Sequence, residues 1–116
     1  MPFDPKCIFC KIARGDVASE SVYEDDRCVA FRDTDPKAPV HVLVIPRDHI
    51  ANFSDLESNR DLGGHLAFVA GTVARTEGLL DHGFRLVINQ GLDAGQSVGH
   101  LHLHVLGGRQ FSWPPG

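Results

Sequence analysis

The apolar positions of this chain recur with two different periods. In Val40-His41-Val42-Leu43-Val44-Ile45 they run almost unbroken, and Pro46 closes the run. A short β-branched stretch of this kind predicts a largely buried strand. Phe84 to Asn89 predicts another, and Val22–Glu24 and Arg27–Arg32 predict two short strands around the turn Asp25-Asp26. His100 to Leu106 alternates strictly and predicts a last strand, ended by Gly107-Gly108. From Asp61 to Gly78 the rhythm changes: Leu62, Leu66, Val69 and Val73 mark one face of a 3.6-residue period, which predicts one long helix. Gly63, Gly64 and Gly71 each cost that helix about 1 kcal/mol relative to Ala, or permit close packing of another element. Cys7 to Arg14 predicts a short N-terminal helical turn stopped at Gly15, and Gln90 to Gly99 a glycine-rich loop. Strands outnumber helices, and the later connections are not regular crossover units. The pattern therefore predicts an α+β fold, a mainly antiparallel five-stranded sheet with one long and one short helix.

Composition adds mostly exclusions. The 116 residues make one domain, 1–116, and no apolar run approaches the roughly 20 residues that span a bilayer. Met1-Pro2-Phe3-Asp4-Pro5 lacks the regions of a signal peptide, so a cytoplasmic location is expected. A net charge of -4 argues against a broad basic face for nucleic acid, while leaving room for a small phosphate pocket. Three cysteines do not make a disulfide framework. Cys7 and Cys10 have the Cys-x-x-Cys spacing of half a zinc site or of a redox pair; nothing strand-like precedes them, which favours metal or a plain pair of thiols. Cys28 reads as a buried core thiol.

Seven histidines are the unusual feature, three of them in His100-Leu101-His102-Leu103-His104-Val105-Leu106. In a strand, residues two apart face the same way, so three imidazoles line one face and Leu101, Leu103 and Val105 the other. Neighbouring histidines then lie roughly 6.6 Å apart and the outer two roughly 13 Å. Two neighbours could share one metal ion, but three on a regular strand could not, because nitrogen ligands sit about 2 Å from the ion. A row of three suits a central working histidine with flanking helpers, and the bland alternative is a solvated polar stripe. The preceding loop, Gly91 to Gly99, can turn sharply and aim N–H groups at an anion, with Gln96 and Ser97 adding side-chain donors and Asn89 another.

His100 to Leu106 resembles the signature of the histidine triad family, His-φ-His-φ-His-φ-φ with φ apolar. The neighbouring text resembles its Hint branch: Cys7-Ile8-Phe9-Cys10-Lys11-Ile12, Glu24-Asp25-Asp26-Arg27, Val44-Ile45-Pro46, Asn89, Gly95-Gln96-Ser97 and the ending Trp113-Pro114-Pro115-Gly116. The resemblance implies the family fold, a homodimer, and a purine nucleoside phosphoramidase that releases an amine from adenosine 5'-monophosphoramidates and also hydrolyses aminoacyl adenylates. By motif it implies that His102 is the nucleophile and becomes transiently adenylylated. His104, Ser97, Asn89 and Gly95, with Gln96 beside them, would hold the phosphate. Asp33 would bind the ribose, and Ile8, Phe9, Ile12, Val17, Phe31 and Leu43 would form the base pocket.

Imidazole suits that role, since its unperturbed pKa is about 6.5 and a covalent intermediate splits one hard displacement into two. On pattern alone, Asp33 is equally a turn residue and the apolar set ordinary core. The family fold would bring His49 and His100 to Cys7 and Cys10, for a structural zinc with two thiolates and two imidazoles. His65 and His82 read as exposed. The tail from Gln110 to Gly116 is expected to reach the partner's site. Dinucleoside polyphosphate hydrolysis on the same site, or a zinc-stabilised nucleotide-binding scaffold, are the competing readings.

Overall fold

Strand β3 (Val40–Pro46) is the centre of the molecule, and every residue from His41 to Pro46 is buried. A strand buried along its whole length must be covered on both faces. The computed structural model, which describes residues 3–116, shows how. Met1 and Pro2, on which part of the N-terminal reading rests, lie outside the described residues. Around β3 lie β1 (Ser21–Glu24), β2 (Cys28–Arg32), β4 (Phe84–Ile88) and β5 (Leu103–Gly107), in the order β1-β2-β3-β5-β4, with all neighbours antiparallel. The helices are α1 (Ile8–Arg14) and α2 (Arg60–Thr76), and a 3-10 helix runs from Phe53 to Ser58.

Alternation divides the strand residues between two cores. Cys28, Ala30, Val42, Val44, Leu103 and Val105 face α2 and meet Leu62, Leu66, Val69, Ala70, Val73 and Ala74. The residues between them, Val29, Phe31, Leu43 and Ile45, face the other way and pack on Phe9 and Ala13 of α1. Gly15, at φ 82, ends α1 in the left-handed conformation that glycine adopts without strain. Gly107 ends β5 where a Cβ would lie 2.6 Å from the Leu79 side chain, so glycine leaves room for Leu79, after α2, to pack over the sheet. Among the described residues, no helix is long and apolar enough to cross a membrane.

Two expectations are corrected, and one element is added. The ladder of β5 begins at Leu103, not His100. The alternation of direction persists upstream, but the Leu101 N–H is taken by the Ile50 carbonyl at 2.6 Å instead of a strand partner. The 3-10 helix from Phe53 to Ser58, which carries no periodic apolar signal, is an element that the sequence pattern does not predict. His65 is not free on the surface: from α2 its Nε2 reaches Asp25 Oδ2 at 2.7 Å. His82 is exposed, as expected.

Asp25 joins these layers. Its Oδ1 accepts from the backbone N–H groups of Arg27 and Cys28, each at 2.8 Å, and its Oδ2 from Tyr23 Oη and His65. Burial works to raise its pKa, but the bonds from Tyr23, the two amides and His65 outweigh it and hold the carboxyl well below the usual carboxylate range. A depressed carboxylate pKa contributes stability that is present above the unfolded value, near 3.9, and is lost as pH falls below it. Asp25→Ala leaves two amides, a phenol and an imidazole without their acceptor. It is expected to cost about 3 kcal/mol at neutral pH and to flatten the acid limb of a stability–pH curve, measured by urea unfolding.

Candidate functional site

Strand β3 and the segment leading into β5 bring three histidines into one line. His41 and His104 are diagonal neighbours across the β3–β5 pair, on the side away from α2, with His41 Nε2 2.9 Å from His104 Nδ1. The His102 and His104 rings are 5.0 Å apart. Backbone groups fix who donates. The Lys37 N–H can only donate, and it sits 3.0 Å from His41 Nδ1. His41 therefore carries its hydrogen on Nε2 and gives it to His104 Nδ1. A neutral His104 then carries its own hydrogen on Nε2. That atom is buried and has no partner among the described residues.

Burial, with His102 and His41 alongside, brings His104 down to about 4, so the ring is neutral at pH 7. Burial lowers His41 as well, against the pull of Asp33. At His102 the polarity is reversed. The His100 carbonyl can only accept, and it lies 2.7 Å from His102 Nδ1. Nδ1 holds the hydrogen, and Nε2 of the neutral ring keeps a lone pair. Adjacent imidazoles thus present one lone pair and one N–H donor. His41, which the sequence shows only as a polar residue inside an apolar run, is the residue that sets this arrangement.

The His102 and His104 rings border a cavity of about 420 Å3. Its walls include Ile8, Phe9, Ile12, Val17, Phe31 and Leu43, and Asp33, Ser97, His102 and His104 border it. The apolar residues assigned to a base pocket therefore do line one space, besides serving as core. Asp33 also does both things its sequence allowed. Its Oδ1 caps the turn by accepting from the Asp35 N–H at 2.8 Å, while Oδ2 lies 3.5 Å from His41 Nε2. Asn89, Gly95 and Gln96 do not line the cavity. The Gln96 side chain is spent on holding the loop and tying it to the segment after His49: Oε1 accepts from the Gly91 N–H, and Nε2 donates to the Val98 and Ala51 carbonyls. It braces the loop that carries Ser97.

A second cluster lies on the other side of His102. The donor atoms of Cys7, Cys10, His49 and His100 all fall within 4.8 Å of one another. His100 Nδ1 is 3.3 Å from Cys7 Sγ and 3.5 Å from Cys10 Sγ, and His49 Nδ1 is 3.3 Å from Cys10 Sγ. Sulfur and nitrogen on a tetrahedral zinc, at about 2.3 and 2.0 Å from it, stand about 3.5 Å apart. Two backbone N–H groups also point at the sulfurs, Cys10 to Cys7 and Asp4 to Cys10, both at 3.4 Å, while burial, first among its surroundings, raises the Cys10 thiol. His100 Nε2 donates to the Pro46 carbonyl at 2.9 Å, which turns the Nδ1 lone pair toward the sulfurs. The residues present fit a closed structural zinc centre. Cys28 takes no part in it: it is fully buried in the core, and burial first among its surroundings pushes its thiol up to about 12.

Comparison with known proteins gives the family. A family model described as the HIT domain matches residues 14–111. An uncharacterized HIT-like protein of Synechococcus elongatus is 51% identical over 94% of this chain and 96% of its own length. A 14 kDa zinc-binding protein of Zea mays is 47% identical over 97% of this chain and 90% of its own. The crystal structure of a HIT family hydrolase from Legionella pneumophila superposes with a TM-score of 0.92 at 46% identity, covering 96% of this chain and all of the other. With the family model spanning most of the sequence and relatives near half-identical along nearly its whole length, the chain belongs to the HIT domain family.

Proposed function

We propose that this chain is a single HIT domain of the Hint branch, acting as a purine nucleoside phosphoramidase. It cleaves the P–N bond of adenosine 5'-monophosphoramidates, and hydrolyses aminoacyl adenylates, through AMP held on His102. The observation that carries this reading is the pairing of a lone pair on His102 Nε2 with the orphaned N–H of His104 at the border of an apolar cavity. A buried donor without a partner costs about 1–3 kcal/mol, which an anionic oxygen of a ligand would recover. The cavity volume lies in the roughly 300–1,000 Å3 range of small-molecule sites. The similarity to a protein titled a HIT family hydrolase supports the same class.

The apolar walls take the purine, and Asp33 Oδ2 accepts from a ribose hydroxyl. His102 Nε2 attacks the α-phosphorus as the P–N bond breaks, and the nitrogen leaves with the bond's electron pair and gains a proton as free amine. His104 Nε2–H and the Ser97 hydroxyl donate to the phosphoryl oxygens as charge spreads over them. Water then attacks the same phosphorus, giving AMP and restoring the neutral imidazole. Zinc in the four-residue cluster would hold chain segments together and would not touch substrate, because protein donors fill its coordination. The relative named a zinc-binding protein supports its presence.

The molecule also fits a homodimer. Strand β4 is an edge of the sheet, and an unpaired edge invites another strand. Beside it lies a concavity of about 380 Å3 lined by Phe53, Leu56, Gly63, Gly64, Leu86 and Ile88. Phe53 and Leu86 are exposed, and Gly64 and Gly71 of α2 face open space. An isologous two-fold pairing would bury this face. Trp113, also exposed, sits on a tail that Arg85 meets over the Phe111 and Trp113 rings, and in the proposed dimer this tail reaches the partner's site.

Turnover of an adenosine phosphoramidate beside a diadenosine polyphosphate tests the activity. AMP plus free amine is expected. AMP plus a nucleoside polyphosphate would favour the polyphosphate reading, and binding without turnover the scaffold reading. His102→Ala should lose about 10⁴-fold or more in turnover yet still bind AMP, whereas His104→Ala should lose about 10²-fold. Mass spectrometry of a quenched reaction should find the AMP adduct on the peptide containing His102; an adduct elsewhere overturns the mechanism. Protein prepared without chelator should carry close to one zinc ion per chain and Cys10→Ser far less, and a content below about 0.1 would contradict the metal assignment. Light scattering should give a dimer at micromolar concentration, weakened by Leu86→Lys.

A further inference from the structure

We propose that the Cys7–Cys10–His49–His100 cluster is a positioning device for His102, so that the integrity of these four ligands sets the turnover rate and not only the stability of the fold. The kinetic part of this inference rests on the reading of His102 as nucleophile. The structural part does not.

The ladder of β5 starts at Leu103, which pairs with Val44 on one side and Ile88 on the other. His102 lies just beyond that last rung, so strand pairing does not fix its ring. The His100 carbonyl and Phe9 hold the ring and the Leu101 N–H holds the backbone beside it, and each of these leads to the cluster; the His104 ring flanks it at 5.0 Å between centroids. The His102 Nδ1–H is held by the His100 carbonyl at 2.7 Å. His100 in turn is pinned through both ring nitrogens, Nδ1 on the two sulfurs and Nε2 on the Pro46 carbonyl. The intervening Leu101 N–H bonds to the carbonyl of Ile50, the residue after His49. Phe9, placed by α1 between the two cysteines, meets the His102 ring edge-on at 5.2 Å between centroids and the His100 ring at 5.9 Å.

Cross-linking the four ligands therefore fixes the carbonyl that holds the His102 hydrogen, the backbone on which His102 sits and the aromatic wall it leans on. Releasing them leaves Leu103 and the sheet in place but lets the imidazole turn. Displacing a reacting group by about 1 Å can cost about 10²-fold in rate.

The experiment compares zinc-loaded protein, protein stripped by a zinc chelator, and the His49→Ala variant, with circular dichroism checking that each stays folded. Two quantities are read: kcat and KM on an adenosine phosphoramidate, and the slowly exchanging Nδ1–H resonance of His102 in ¹⁵N-histidine-labelled protein, assigned by its loss in His102→Ala. The expected result is a fall in kcat of about 10²-fold with KM changing less, together with rapid exchange of that proton. A folded stripped protein with unchanged kcat and a protected proton overturns the proposal. Unfolding of both the stripped protein and His49→Ala also overturns it, since the cluster would then act on the fold alone. If zinc-loaded wild type shows no phosphoramidate turnover, the reading of the activity fails while the proton resonance still decides the positioning role.

Discussion

Strand β3 is covered on both faces and β5 on the α2 face, and the two-residue alternation of an extended chain governs how the site is assembled between them. One set of side chains, Val42, Val44, Leu103 and Val105, must satisfy α2. The intervening set is thereby turned toward α1. There Leu43 and Ile45 complete a small second core, and His41 and His104 are left side by side. A slip of one residue in the β3–β5 register would turn the imidazoles against α2 and the valines away from it. The large apolar core thus acts as the jig that aligns the site.

Burial on that second face also sets the chemistry. Imidazoles removed from water resist protonation, and both His41 and His104 are held down by burial first of all. Neutral rings have one donor and one acceptor each, so a chain of them needs a direction. The Lys37 N–H supplies it at one end and the His100 carbonyl at the other. Because one end only donates and the other only accepts, the middle of the row presents an N–H and a lone pair next to each other. That combination suits attack on a phosphorus whose oxygens gather charge.

The cysteine–histidine cluster couples distant parts of the chain to this row. Cys7 and His100 are 93 residues apart in sequence, and Cys10 and His49 are 39 apart. Closing such long loops with a metal removes conformational freedom that the small α1 contact area would not restrain by itself. The cluster also carries Phe9 onto the histidines, so the helix that walls the cavity and the ring at its border share an anchor.

By itself the sequence determined the buried strand at Val40–Pro46, the α2 stripe, the stop at Gly15, the alternation of His100 to Leu106 and the metal-like pair Cys7 and Cys10. Each is local: a period, a proline, a glycine or a short spacing is complete within a few residues. Tertiary structure decided what depends on partners far along the chain. It ended the β5 ladder at Leu103 by giving the Leu101 N–H to Ile50. It drew His65 to Asp25 and spent Gln96 on holding its own loop and tying it to the segment after His49. It also brought His41 to His104 across 63 residues and so fixed which nitrogen of each imidazole carries the hydrogen. A period in sequence reports the direction of a side chain. The hydrogen-bond partner waiting there, and with it the tautomer on which the chemistry depends, exists only once the sheet has closed.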